Sequence, residues 1–153
     1  LADLVEVCMA WDRPIMFHVS EPVGRLYPGK GTATPDKLLT FLRRFPDVRI
    51  IAAHWGGGLP FYELMPDIAR LTANVVYDSA ATTYLYRFPI FRTVIELVGA
   101  RRVLFASDYP VLGQERLLQR VKRLGMPHDT FRLIMSENAH QVFGRGSWRV
   151  SDD

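Results

Sequence analysis

Four polar residues close four short apolar runs: His18 after IMF, His54 after RIIAA, Asp78 after NVVY and Asp108 after VLFAS. Imidazoles and carboxylates at such points are the side chains that bind metal ions or move protons near neutral pH. His18 reads as a metal ligand; the plainer reading is a strand histidine bonded to a neighbouring carbonyl. His54, which WGGGLP follows, reads as an acid or base, against a satisfied buried histidine. The adjoining Gly56, Gly57 and Gly58 let the backbone pass close to a ligand, but they do not spell the dinucleotide pattern G-x-G-x-x-G. Asp108, in ASDYP, reads as a carboxylate ligand, against a cap for the following turn. Asp78, in YDSAAT, reads as a strand-ending turn in which Asp78 and Ser79 bond the backbone.

Other side chains stand close to these in sequence. Glu21, three residues after His18, is placed to bind substrate or to orient that histidine. Arg25 and Lys30 share its loop, SEPVGRLYPGKGTA, and are candidates for holding a substrate carboxylate. Solvated loop charges are the plainer reading of all three, yet a long loop without regular structure is more often functional than idle. Trp55 and Tyr109 each follow a candidate directly, as pocket walls or as packing. His128 and His140 read as surface residues, and Cys8 as core. No G-x-S-x-G, C-x-x-C or Walker pattern is present.

The elements that must position these residues alternate regularly. Helix 1–12 carries Leu1, Leu4, Val5, Cys8 and Met9 on one face. Strand 15–19 and the long loop follow. Thr34 as N-cap and Pro35 at the first helical position open a helix to about Arg44, with Leu38, Phe41, Leu42 and Phe45 on one side. Strand 48–53, a helix over about 61–71 and strand 74–78 come next. A helix over about 88–98 bears Phe91, Val94, Ile95 and Val98 and stops at Gly99. Strand 103–107 delivers Asp108. Helices over about 114–124 and 129–143 close the chain, the second broken near Ser136, and SWRVSDD reads as a frayed tail.

Strand starts about 25 to 35 residues apart fit crossover units of a parallel α/β sheet. The strands lack strict polar alternation, as expected when both faces are covered. Alternation places Ile50, Ala52 and His54 on one face, and Leu104, Ala106 and Asp108 on one face. Four such strands form an open sheet or half of a (β/α)8 barrel, with two free edges.

Composition sets outer bounds. The chain has 153 residues, enough for a sizeable core, and 48% of them are hydrophobic. A net charge of +3, with the basic residues scattered, argues against a nucleic-acid partner. The single cysteine allows no intrachain disulfide. No run approaches the roughly 20 apolar residues of a membrane span, so the expectation is a cytoplasmic protein with a small-molecule substrate, no membrane or nucleic-acid partner, and a homo-oligomer as an open option. The chain begins at Leu1, inside a helix pattern, and so reads as cut from something longer.

FHVSEPVG, the strand-end HWGGG, FASDYP and the closing ENAHQVFG together resemble the C-terminal half of the metal-dependent hydrolases of amidohydrolase family 2. That group also holds aminocarboxymuconate-semialdehyde decarboxylase and related non-oxidative decarboxylases. The likeness covers essentially the whole chain. It implies an α/β fold made of strands 5–8 of a (β/α)8 TIM barrel. It implies that His18 is the metal-binding histidine of strand five, that His54 is the strand-six histidine that moves protons, and that Asp108 is both the carboxylate ligand after strand eight and the catalytic group that takes a proton from the metal-bound water. The implied cofactor is a divalent ion, zinc by expectation, whose bound water is activated by the metal with Asp108 beside it. The family's first-strand His-x-His pair, which supplies two more ligands, has no counterpart here. The isolated chain is therefore expected to bind zinc weakly or not at all, and to be inactive by itself. The implied activity is metal-dependent hydrolysis of a small organic substrate, with non-oxidative decarboxylation on the same site as the alternative. Readings of another class are an open α/β module that binds a small ligand without catalysis, and a structural barrel half that assembles with a separate chain.

Overall fold

In the computed structural model, residues 1–144 are described, so the frayed-tail reading of SWRVSDD lies outside the described residues. Four strands, β1 (Ile15–His18), β2 (Ile50–Ala53), β3 (Val75–Asp78) and β4 (Val103–Leu104), form one parallel sheet in the order of the sequence. Helices α1 (Ala2–Ala10), α2 (Pro35–Arg44), α3 (Pro66–Leu71), α4 (Thr82–Leu85), α5 (Ile90–Val98), α6 (Gln114–Lys122), α7 (His128–Arg132) and α8 (Asn138–Phe143) alternate with the strands or close the chain.

Side chains paired across a parallel register share a face. Phe17, Ala52, Tyr77 and Val103 lie in one such row, and Met16, Ile51 and Val76 in the opposite one. The first face is the helix side. Ile50, Ala52, Val75, Tyr77 and Val103 are buried there with Leu38 and Leu42 of α2, Phe91 and Val94 of α5, and Leu117 and Val121 of α6. The apolar stripes expected on α2 and α5 are the ones that seat these helices. On the opposite face Ile51, Val76 and Leu104 cluster with Ala139 and Val142 of α8, and Met16 is 57% exposed.

Several elements depart from expectation for local reasons. The helix expected over 61–71 starts at Pro66, because the residue before a proline is driven out of the helical region; Met65 has φ −89° and ψ 117°. Strand β4 stops at Leu104 because the hydroxyl of Ser79 takes its ladder place, accepting the Ala106 N–H at 2.9 Å and donating to Ala106 O at 3.0 Å. Thr34 sits at the N-cap of α2, but its hydroxyl donates to the Asp36 carboxylate and not to the helix end. The break near Ser136 is a π-helical turn, Leu133–Glu137, between α7 and α8. The face expected for α1 is mostly open: Val5 is buried, but Leu1, Leu4 and Met9 are 70%, 51% and 47% exposed. Helix α1 leads into the edge strand β1, where a single row of its side chains reaches the core.

A buried ion pair ties the helix side to the sheet. Arg102 donates to both oxygens of Glu63 at 2.6 and 2.8 Å, and to the carbonyls of Val75 and Thr72 at 2.8 Å each. The Tyr77 hydroxyl donates to the same carboxylate. Each of the three guanidinium nitrogens has at least one acceptor, and such pairing is the condition under which a buried charge is tolerated.

Candidate functional site

In a parallel sheet every strand ends at the same rim, so His18 closing β1, His54 after β2 and Asp108 after β4 start from one edge. The structure brings all three to one cavity of about 430 Å³, with Arg25, Tyr84 and Val111 also on its wall. That volume suits a small organic ligand.

The backbone does the aiming. His54 (φ 59°), Trp55 (φ 56°), Gly56 (φ 57°), Gly57 (φ 60°) and Gly58 (φ 92°) form five consecutive residues in the left-handed region. Simple alternation puts His54 with Ile50 and Ala52, but those residues face the helices. The left-handed turn reverses His54 instead, and its ring meets His18 on the opposite face. Asp78 fixes this turn: its Oδ1 accepts the His54 N–H at 2.9 Å and the Ala80 N–H at 3.0 Å. The turn reading of Asp78 holds, and the residue is buried, 3% exposed. Burial pushes the Asp78 carboxyl up from its usual range, against the two amide N–H groups, which favour the charged form. Ala81 and Asp108, at φ 57° and 69°, are also left-handed and also border the cavity. Non-glycine residues held in this region are strained, a feature that clusters at functional sites.

The two imidazoles form a defined chain. Their rings meet edge-on, with centroids 4.7 Å apart. His54 Nδ1 lies 3.3 Å from the carbonyl of Ala80, which can only accept, so that nitrogen carries a proton. In neutral His54, Nε2 is then an acceptor, and His18 Nδ1, 3.0 Å away, donates to it. His18 Nε2 in turn accepts from the Ser20 hydroxyl at 2.9 Å, while Ser20 Oγ accepts the Gly31 N–H at 2.9 Å. Partial burial, then repulsion from His54, pulls His18 below the usual histidine range; Asp108, Glu21 and Asp78 pull the other way. The carboxylate of Asp108 makes no hydrogen bond among the described residues.

Other expected site residues are placed differently. Trp55 is no cavity wall: it is fully buried, donates from Nε1 to Thr82 Oγ1 at 2.8 Å and packs edge-on against Phe91. The turn that swings His54 outward sends the next side chain inward. Lys30 is not a cavity residue either. Its ammonium is spent within the loop, donating to the carbonyls of Val23 and Arg25 at 2.9 and 3.3 Å and pairing with Glu21 at 3.4 Å. Glu21 also accepts from the Tyr27 hydroxyl at 3.3 Å and borders a neighbouring cavity. Arg25 reaches the histidine cavity, and Tyr109 is 75% exposed. The sequence reading missed Ser20, Tyr27 and Tyr84. Ser20 had a signal: it lies two residues after His18, where alternation returns a side chain to the same face.

Among the described residues no group of three or more His, Cys, Asp or Glu is arranged to hold a metal ion. No described helix is long and apolar enough to cross a membrane.

A family model described as Amidohydrolase matches residues 2–145. The 6-methylsalicylic acid decarboxylase of Penicillium expansum is 28% identical over an alignment covering 78% of this chain and 42% of that protein. Dihydroxybenzoic acid decarboxylase from Polaromonas sp. JS666, solved with bound manganese and 2-nitroresorcinol, superposes with a TM-score of 0.74 at 19% identity, over 90% of this chain and 52% of that one. A TIM-barrel protein from Bordetella bronchiseptica gives a TM-score of 0.66 at 18% identity, over 93% and 49%. The chain thus spans about half the length of the relatives it matches, and its four-stranded sheet is a partial (β/α)8 barrel.

Proposed function

We propose, from the premise that this chain belongs to the amidohydrolase family, that it supplies the proton-transfer face of a non-oxidative decarboxylase acting on an aromatic carboxylic acid. The observation that carries this reading is the His18–His54 pair, in contact at 3.0 Å on a cavity shared with Arg25 and Asp108. The named decarboxylases among the relatives act on benzoic-acid-type compounds by their descriptions, which favours this reaction over the hydrolysis implied by the wider family label.

Two imidazoles in contact share one added proton, because a second meets like-charge repulsion at short range. His18 takes that proton from water at Nε2, which then donates to Ser20 Oγ in place of accepting from it, and the Nδ1-to-Nε2 link passes a proton between the rings. Asp108 stabilises the charged pair. Arg25 holds the substrate carboxylate by charge-assisted hydrogen bonds. The pair then protonates the ring carbon that bears the carboxylate. A carbon–hydrogen bond forms and the bond to the carboxylate breaks. Its electron pair returns to the ring, CO2 leaves, and the pair regains its proton from water.

A divalent ion, manganese in the Polaromonas structure, would take His18 and Asp108 as ligands. Two donors fall short of the three a catalytic metal holds, and both ring nitrogens of His18 are already engaged. The described residues by themselves do not fit an ion.

The test is to incubate the protein at its natural full length with 2,6-dihydroxybenzoate in D2O, with and without manganese. CO2 release with one deuterium at the former carboxyl-bearing carbon supports the reading. Release of methanol from methyl benzoate with no CO2 from any benzoate overturns it in favour of hydrolysis.

A further inference from the structure

A second cavity, of about 680 Å³, lies beside the histidine cavity. Arg25, Tyr84 and Leu85 border both. Beyond that shared border the wall is mainly apolar, built from Pro22, Val23, Phe61 and Tyr62. The floor is bare backbone at Gly57 and Gly58. A Cβ added at Gly58 would approach only Phe61 and Tyr86, at 3.8 and 3.9 Å, so the left-handed glycine run keeps this space empty of side chains. Val23 and Tyr62 are 73% and 51% exposed, apolar area that the described chain itself does not cover.

We infer that this side cavity seats an apolar arm of the same ligand whose carboxylate-bearing ring lies against His18 and His54. The inference rests on the aromatic-acid reading of the first cavity and deepens it. The histidine cavity already has room for a single substituted ring. A ligand limited to that ring leaves the adjoining apolar walls wet, whereas an alkyl or aryl arm covers them. Arg25 stands at the junction, so the arm leaves the ring next to the carboxylate that Arg25 holds. The ligand class is therefore a benzoate carrying an apolar substituent of several carbons near its carboxylate, larger than a bare hydroxybenzoate. Glu21, at the cavity edge, is neutralised by Lys30 at 3.4 Å and does not repel such an acid.

The test is calorimetric titration of the 153-residue chain with benzoate, 2-ethylbenzoate, 2-propylbenzoate and 2-butylbenzoate, with butylbenzene as the probe without a carboxylate. Imidazole resonances of His18 and His54 are followed in parallel. Affinity is expected to rise about fourfold per added methylene, the usual gain for burying that group. In Val23→Trp, which fills the arm's place, and in Phe61→Trp, the increment is expected to vanish. If benzoate shifts both histidines while the series is flat, the side-cavity inference is overturned and the reading of the first cavity stands. If benzoate leaves the histidines unmoved while butylbenzene binds at Val23 and Tyr62, both fall, and the cavity belongs to another occupant such as a further polypeptide segment.

Discussion

Gly57 offers the sharpest test of how the site is built. Its φ is +60°, and a Cβ there would sit 2.7 Å from the carbonyl oxygen of Ser20, 2.8 Å from its carbonyl carbon and 3.0 Å from the Glu21 nitrogen. All three are backbone atoms. They have little room to retreat, because the Ser20 N–H is bonded to Ala33 O at 2.7 Å and Val19 and Ser20 are both buried. Gly125 is the matched control: its φ is +63°, and an added Cβ would meet nothing within 4 Å. Gly125→Ala should therefore cost only the left-handed backbone penalty, about 1 kcal/mol. Gly57→Ala carries the same penalty plus about 2 kcal/mol for forcing packed backbone apart, a total near 3 kcal/mol. Urea unfolding followed by tryptophan fluorescence measures both, since Trp55 is fully buried beside the turn. Gly57→Ala should also disturb the imidazole signal of His18, whose Nε2 is held by Ser20 Oγ at 2.9 Å. Equal losses in the two variants, with unchanged histidine signals, would refute the claim that close backbone contact at Gly57 fixes the site.

Three further outcomes are expected. Glu63→Ala leaves the Arg102 guanidinium and the Tyr77 hydroxyl without their shared acceptor; it should cost about 3–5 kcal/mol in the same unfolding assay. Burial raises Tyr86 to about 12, above the usual tyrosine value of 10.0. The folded state holds that proton more tightly than the unfolded one, so this contribution to stability is full below pH 10 and fades as pH rises through about 12. Tyr86→Phe should abolish that decline, and at neutral pH it should cost nothing, because the buried hydroxyl has no partner among the described residues. His18, pulled below 6.5 by burial and by His54, is charged more readily in the unfolded chain, so stability should fall as pH drops below 6.5. His18→Gln should flatten that decline, and His54→Asn should raise the His18 midpoint in an NMR titration by removing the repulsion.

The sequence by itself determined the alternation of helices and strands and the rim to which the chemistry is delivered. The apolar stripes on α2 and α5 mark the faces that cover the sheet. Parallel strands share one direction, so polar residues placed after β1, β2 and β4 must gather at one edge wherever the helices settle. The FHVSEPVG, HWGGG and FASDYP segments carried the family likeness. What a side chain does at that edge was not legible, because a side chain's face depends on the backbone angle where the strand ends. Alternation sends His54 toward the helices and leaves Trp55 free for the cavity, and the structure does the reverse. The cause is the left-handed turn, held by Asp78 from the next strand and by the fit of Gly57 against Ser20. Likewise Lys30 is drawn inward to Glu21 and two loop carbonyls while Arg25 reaches the cavity, a choice made by loop closure and not by residue type. Residue types and strand order are local and directional, so the chain could declare them; the meeting of His18 with His54 required contacts between residues far apart in the chain, and only the folded arrangement decided it.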